Sequence, residues 1–302
     1  MDILLGMIPS ILMIVAPILI TAAGGMISER SGIVNIALEG LMGIGAFSAA
    51  AAHVMMETTL GGASVWVALL IGSLAGVVLA LIHAYASISL NADQIISGTG
   101  VNLLVNGLTI FFAQIMFSMD RTEPYRMGML PGIWGIYPTA WIAIVVIFVV
   151  WFFMYKTPFG MHLRACGENP YAAASVGINV RLIRYVGVLA SGFLAGLAGG
   201  CLVLTQTIQF TSTTINGTGF IALAALSFGR WRPAGITGSS ALFGFAVAFS
   251  VYVVNIPSLK NALPSEFFSL LPYVITLLAL VVFSGKNYAP KAEGTPYTQG
   301  AS

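Results

Sequence analysis

An all-α, polytopic transmembrane helix bundle is the fold class this sequence predicts, on three observations. The 302 residues are 58% hydrophobic and 7% charged, with a mean hydropathy of +0.95, whereas a soluble domain carries about 25% charged residues. Apolar runs near the ~20 residues needed to cross a hydrocarbon core recur along the chain. Glycine numbers 34 and falls at helix-contact spacings, Gly72 and Gly76, then Gly192, Gly196 and Gly200, where small residues let helix backbones approach closely. A water-exposed surface needs far more charge than this chain supplies, so most of its exterior faces lipid.

About nine spans follow (8–10), at roughly 4–27, 33–53, 64–88, 95–117, 138–155, 182–206, 217–230, 234–255 and 267–284. The first has no basic n-region before it and its apolar run continues to about Met26, which fits a retained span. The stretch GGMISERSGIVNIALEG, 24–40, sets Glu29, Arg30, Asn35 and Glu39 into a chain otherwise almost free of charge, with Asn35 and Glu39 already on the second span. From Tyr185 to Gly229 no charge occurs and the stretch is too long for one crossing, so two segments are expected around TQTIQFTSTTING. The second of these, 217–230, is short enough to be re-entrant or broken, since irregular backbone at membrane depth needs protein or a wet cavity to cover it. The whole divides into a membrane domain, 1–285, and a polar tail, 286–302, whose sequence KNYAPKAEGTPYTQGAS is expected to be disordered.

Basic residues are retained on the cytoplasmic side. With the loop 156–181 inside, Lys156, Arg164, Arg181, Arg30, Arg184, Arg230, Arg232, Lys286 and Lys291 fall inside and Arg121, Arg126 and Lys260 outside. That split of nine to three predicts an outside N-terminus and a cytoplasmic C-terminus in a cell membrane. A net charge of +2 with dispersed basic residues excludes nucleic acid as a partner. Cys166 and Cys201 form no CxxC and have no His cluster nearby, so a disulfide framework and a zinc site are not indicated.

Polar groups inside the spans mark the candidate site. Asn35 and Glu39, at i and i+4, are expected to share one face of the second span, and Thr99, Asn102, Asn106 and Thr109 to form a stripe on the fourth. A carboxylate near the bilayer centre costs about 2.5 kcal/mol or more, so Glu39 must be paired, protonated or wet. Two readings stand for these residues: a lining for a polar solute, or interhelical hydrogen bonding. Gln206, Phe210 and Asn216 surround the expected break between the sixth and seventh segments, and helix breaks at membrane depth expose dipoles that bind solutes; a wet outer loop is the alternative. Tyr252 and Asn255 close the eighth span with the same ambiguity. In the loop, Asn169-Pro170 is a helix start and Gly177 a stop; the short helix between them caps the bundle or plugs into another protein. No GxxxxGK[ST] occurs, so the chain has no phosphate loop of its own.

Three stretches carry a resemblance: ERSGIVNIALEGLMGIGAF, NADQIISGTGVNLLVNG, and TPFGMHLRACGENPYAAASVGINV followed by ASGFLAGLAGG. In these, and in their order over about residues 5–285, the sequence resembles the transmembrane permeases of ABC importers for branched-chain amino acids, simple sugars and nucleosides, and most of all the nucleoside members. The resemblance implies a type II ABC importer-like permease in which the loop 156–181 holds a coupling helix. Arg164, Gly167, Glu168, Asn169, Pro170, Ala172, Ala173 and Gly177 would then dock into a cytoplasmic ATPase. It further implies a second permease subunit, related or identical, an extracytoplasmic solute-binding protein, and no cofactor in this chain, ATP being bound by the partner. Asn35, Glu39, Thr99, Asn102, Asn106, Gln206, Phe210 and Asn216 would line the solute pathway. The chain itself would be no enzyme. The alternatives are a simple-sugar or branched-chain amino acid permease within the family and, outside it, a secondary transporter or channel driven by an ion gradient, for which Glu39 is the one deep acidic candidate.

Overall fold

The computed structural model describes residues 2–130, 132, 135–253, 270, 274–275, 277–278, 281 and 288–298. Ten helices are formed there, α1 (Asp2–Arg30), α2 (Leu38–Leu60), α3 (Ser64–Ala84), α4 (Gln94–Phe117), α5 (Pro138–Lys156), α6 (Pro158–Glu168), α7 (Pro170–Ser175), α8 (Val180–Gln206), α9 (Thr218–Phe228) and α10 (Pro233–Val253), with no strand among the described residues.

Among the described residues, six stretches are long and apolar enough to cross a membrane: Ile8–Arg30, Leu38–Ser89, Gln94–Phe117, Pro138–Lys156, Val180–Gln206 and Pro233–Tyr252. The second runs to 52 residues and holds two helices, α2 and α3, folded together at the 3-10 turn Gly61–Ala63. The expected segment 217–230 is the 11-residue α9, about 16 Å long at ~1.5 Å per residue, roughly half of a ~30 Å hydrocarbon core. The expected segment 267–284 lies largely outside the described residues, as does Asn255.

The core is a trio of α2, α3 and α8, flanked by α1, which also meets α5, α9 and α10. Glycine makes this trio possible. A Cβ on Gly45 would strike the Gly196 backbone, one on Gly76 the Gly192 carbonyl, and one on Gly199 the Met42 carbonyl. These helices touch backbone to backbone, as the spacing of Gly72, Gly76, Gly192 and Gly196 led one to expect.

Three expectations are corrected. Residues 31–37 form a turn and an extended connector, and α2 begins only at Leu38, so Asn35 and Glu39 do not share a helix face. The cause is Gly32, whose φ of +98° turns the chain after α1. The α4 stripe is split too: Thr109 is buried, Asn102 half-buried against α2, and Thr99 and Asn106 exposed. Finally, the tail is not loose over 288–298. It lies on the end of the bundle that carries α6 and α7, where Ala292 and Tyr297 are each 7% exposed.

Candidate functional site

The connector before α2 is held by side chains from three helices. Gln94 Oε1 accepts from the Val34 amide at 2.7 Å, and His83 Nε2 donates to the Val34 carbonyl at 3.0 Å, which leaves Nδ1 to accept from the Ser97 hydroxyl. Asn35, fully buried, donates to Ser191 Oγ at 2.9 Å. Asn102 donates to the Ile36 carbonyl at 2.9 Å and accepts from the Gly40 amide at 2.8 Å. That amide is in the first turn of α2, where a helix has no partner of its own to offer. Asn35 and Asn102 therefore sit in the connector's hydrogen-bond collar. His83 and Gln94, which the sequence reading did not place there, belong to the same collar. The available signal was only that His83 is one of few polar residues on α3 and that Gln94 opens α4.

Glu39, in the first turn of α2, spans to the start of α9. Its two oxygens accept from the amides of Gly217 and Gly219, each at 2.7 Å, and the Phe220 amide also faces the carboxyl. The exposed N–H groups and positive end of α9 thus receive a carboxylate in place of water. The chain reaches this point through left-handed turns at Asn216 (φ +44°) and Gly217 (φ +85°). A Cβ on Gly219 would meet the Glu39 backbone, so α2 and α9 approach closely there.

Beside this break lies a cavity of about 320 Å3, lined by Ile14, Ile18, Gln206, Thr214, Asn216 and Ser250 among others. Its volume is at the low end for small-molecule sites, and its mix of apolar wall with a few amides and hydroxyls is typical of them. Gln206 donates to the Met13 carbonyl at 3.1 Å. Phe210 is elsewhere: it is 3% exposed, packs edge-on to Phe47 at 5.5 Å, donates its amide to the Thr122 hydroxyl at 2.9 Å and accepts from the Thr122 amide at 3.1 Å. Of the expected lining, the structure thus gathers Glu39, Gln206 and Asn216 at one break, leaves Thr99 and Asn106 on the open face of α4, and buries Phe210.

The opposite end is basic. Thr157 caps α6 by accepting from the Gly160 amide at 3.2 Å, Asn169 caps α7 by accepting from Ala172 at 3.0 Å, and Gly177 ends that turn at φ +84°. Glu168, Asn169, Ala172 and Gly177 are exposed, whereas Gly167, Pro170 and Ala173 are buried against the bundle. The Arg164 guanidinium lies 4.7 Å from the centre of the Tyr155 ring. Gly167 abuts the Arg30 carbonyl so closely that a Cβ has no room. Arg30 in turn donates to the Trp231 carbonyl at 3.1 and 2.9 Å and pairs with Glu168 at 3.8 Å, while the Trp231 indole donates to Glu29 at 2.6 Å. Both cysteines are free; burial pushes the Cys166 thiol on α6 up to about 11, against the opposing pull of Arg184.

Comparison with known proteins accounts for this architecture. The chain is 43% identical to the guanosine ABC transporter permease protein NupQ of Bacillus subtilis, over 97% of this chain and 96% of that one. It is 39% identical to the nucleoside ABC transporter permease protein NupC of Lactococcus lactis, over 93% of each. A second guanosine ABC transporter permease protein of Bacillus subtilis, NupP, is 27% identical over 49% of this chain and 40% of its own. Residues 7–280 match the family described as branched-chain amino acid transport system / permease component, and on that coverage, with helices built to span a membrane, the chain belongs to this family of ABC transporter permeases.

Proposed function

We propose that this chain is the pore-forming permease subunit of an ATP-driven nucleoside importer. The observation that carries the reading is the near full-length identity to two permeases named for guanosine and for nucleosides. The α8–α9 break is the solute-handling region: Gln206, Asn216 and Ser250 offer amide and hydroxyl groups to a ribose or base, and Ile14 and Ile18 offer apolar surface. Glu39 serves that region indirectly by holding the start of α9. Its two amide bonds favour this role over ion coupling, which requires a carboxylate free to load and release its cargo.

The segment α6–α7 is the coupling element. It offers a short exposed helix on a rigid base, packed against α1, α5 and α8, which suits it to meet a cytoplasmic ATPase. ATP binding by that partner draws two such segments together and opens the cavity outward; hydrolysis resets it. A solute-binding protein delivers from outside, the N-terminus lies outside and the C-terminus inside. The presence of two guanosine permease proteins in one bacterium supports a paired pore of related chains. Expressed with an ABC ATPase and a second, related permease, the chain is expected to co-purify with both and to drive ATP-dependent guanosine uptake in liposomes. Uptake by this chain alone along an ion gradient refutes the proposal.

A further inference from the structure

The polar tail is bound to the molecule by contacts that the proposed function does not use. The Ala292 amide donates to the Gly167 carbonyl at 2.9 Å, joining the tail to the end of α6. Two residues on, the Gly294 amide donates to the Gly32 carbonyl at 3.2 Å, joining it to the turn after α1. Arg184 of α8 donates to the Thr295 carbonyl at 3.1 Å and lies 6.0 Å from the Tyr297 ring, which packs on Tyr171 of α7 at 5.3 Å. Further back, the Arg230 guanidinium covers the Tyr288 ring at 4.6 Å. One short segment thus touches α7, the end of α6, the α1 turn, the start of α8 and the α9–α10 turn.

Several of these contacts converge on one buried cation. Arg184 is 1% exposed, yet its Nε and Nη2 have no hydrogen-bond partner among the described residues. A buried guanidinium left so unsatisfied is costly, and release of the tail uncovers one face of it. Water at Arg184 would then offset part of the lost tail contacts. Tyr297 also lines a cleft of about 270 Å3 with Gly177, Asn179 and Arg181 at the exposed end of α7.

We propose that residues 288–297 form a strap that positions the coupling segment, fixing α6 and α7 to α1 and α8 so that movement of one is transmitted to the others. This rests on the reading of α6–α7 as the ATPase-docking element. Tyr297 is a positioning residue, and the strap completes the partner-facing surface.

The test uses the whole transporter in liposomes, with the double variant Gly294→Val, Tyr297→Ala. Gly294 sits at φ +75°, where a β-branched side chain is strained. The second change strips the ring from Tyr171 and Arg184. A spin label at Thr298→Cys reports the strap's release as increased mobility. With the strap released, the ATPase is expected to remain bound while ATP consumed per guanosine imported rises about twofold or more, the range in which residues along a coupling route act. Tyr297→Phe keeps the ring and is expected to behave as wild type. An unchanged ATP-to-guanosine ratio with a mobile label overturns the proposal, and so does a label that stays immobile in the double variant. Ala172→Trp, on the exposed face of α7, tests the underlying reading separately. If it leaves ATPase recovery and uptake intact, α7 is not the docking element; if it abolishes recovery while the strap variant transports at the wild-type ratio, only the strap fails.

Discussion

Asn102 and Asn106 stand one turn apart on α4, and their surroundings differ. Asn102 spends both ends of its amide on the connector and the first turn of α2, whereas Asn106 is exposed beside Gly107, whose missing side chain leaves open space. Asn102→Leu strands the Ile36 carbonyl and the Gly40 amide, each an unsatisfied group worth about 1–3 kcal/mol when buried. The purified variant is therefore expected to melt earlier whatever its transport rate. Asn106→Leu breaks no such bond and is expected to leave the melting temperature alone; if the open face of α4 lines a second part of the solute path, away from the α8–α9 cavity, guanosine uptake falls about two- to tenfold, the worth of one hydrogen bond to a passing solute. Melting curves and uptake on the two single variants separate a structural asparagine from a pathway one; matching effects in both assays remove the distinction. On the sequence the two were alike, because a repeat of three and four residues gives a stripe but not its neighbour.

At the level of elements, α9 is a short helix that does not cap itself. It has 11 residues and its own N-terminal residue, Gly217, provides no side-chain cap. Its start depends on the carboxylate of another helix, and hydrogen bonds to a charged acceptor contribute about 1.5–3 kcal/mol each. Glu39→Gln keeps one acceptor oxygen and loses the charge. Amide exchange is then expected to quicken over Gly217–Ile221, with α2, α3 and α8 as protected as before; unchanged protection there shows that α9 is held by packing alone. Much of this level was visible in advance. The long apolar runs gave α4, α5 and α8 within a residue or two, and the shortness of 217–230 matches the 11 residues of α9. What pattern alone did not reveal was the late start of α2, since Val34, Asn35 and Ile36 extend the apolar-polar rhythm of the helix into a connector. Likewise, the partner of Glu39 lies 178 residues away, a separation no local spacing records.

The molecule as a whole is closed at its basic end by the segment whose composition argued most strongly for disorder. Low hydrophobicity and Pro and Gly content describe a chain unable to bury itself, but this one is buried by what receives it, since backbone groups of Gly32 and Gly167 offer acceptors that sequence cannot display. The same closure brings the Glu293 carboxyl to hydrogen-bond with that of Glu29 at the end of α1, with Arg30 and Trp231 close by. Burial raises Glu293 above the ordinary glutamate range, while the bond to Glu29 and the charge of Arg30 pull it down. A carboxyl raised in the docked state stabilises docking fully below its free value, and that contribution is lost as pH rises through the raised one. The strap is therefore expected to hold most tightly in acid and to loosen toward alkaline pH. A spin label at Thr298→Cys, followed from about pH 4.5 upward, covers the window that begins at the free glutamate value of about 4.3, and its mobility is expected to increase with pH. Glu293→Gln places a permanently neutral amide against Glu29 and is expected to flatten the profile at low mobility. A wild-type label insensitive to pH, or a Gln variant with the wild-type profile, means that the two carboxyls do not govern how firmly the end is closed.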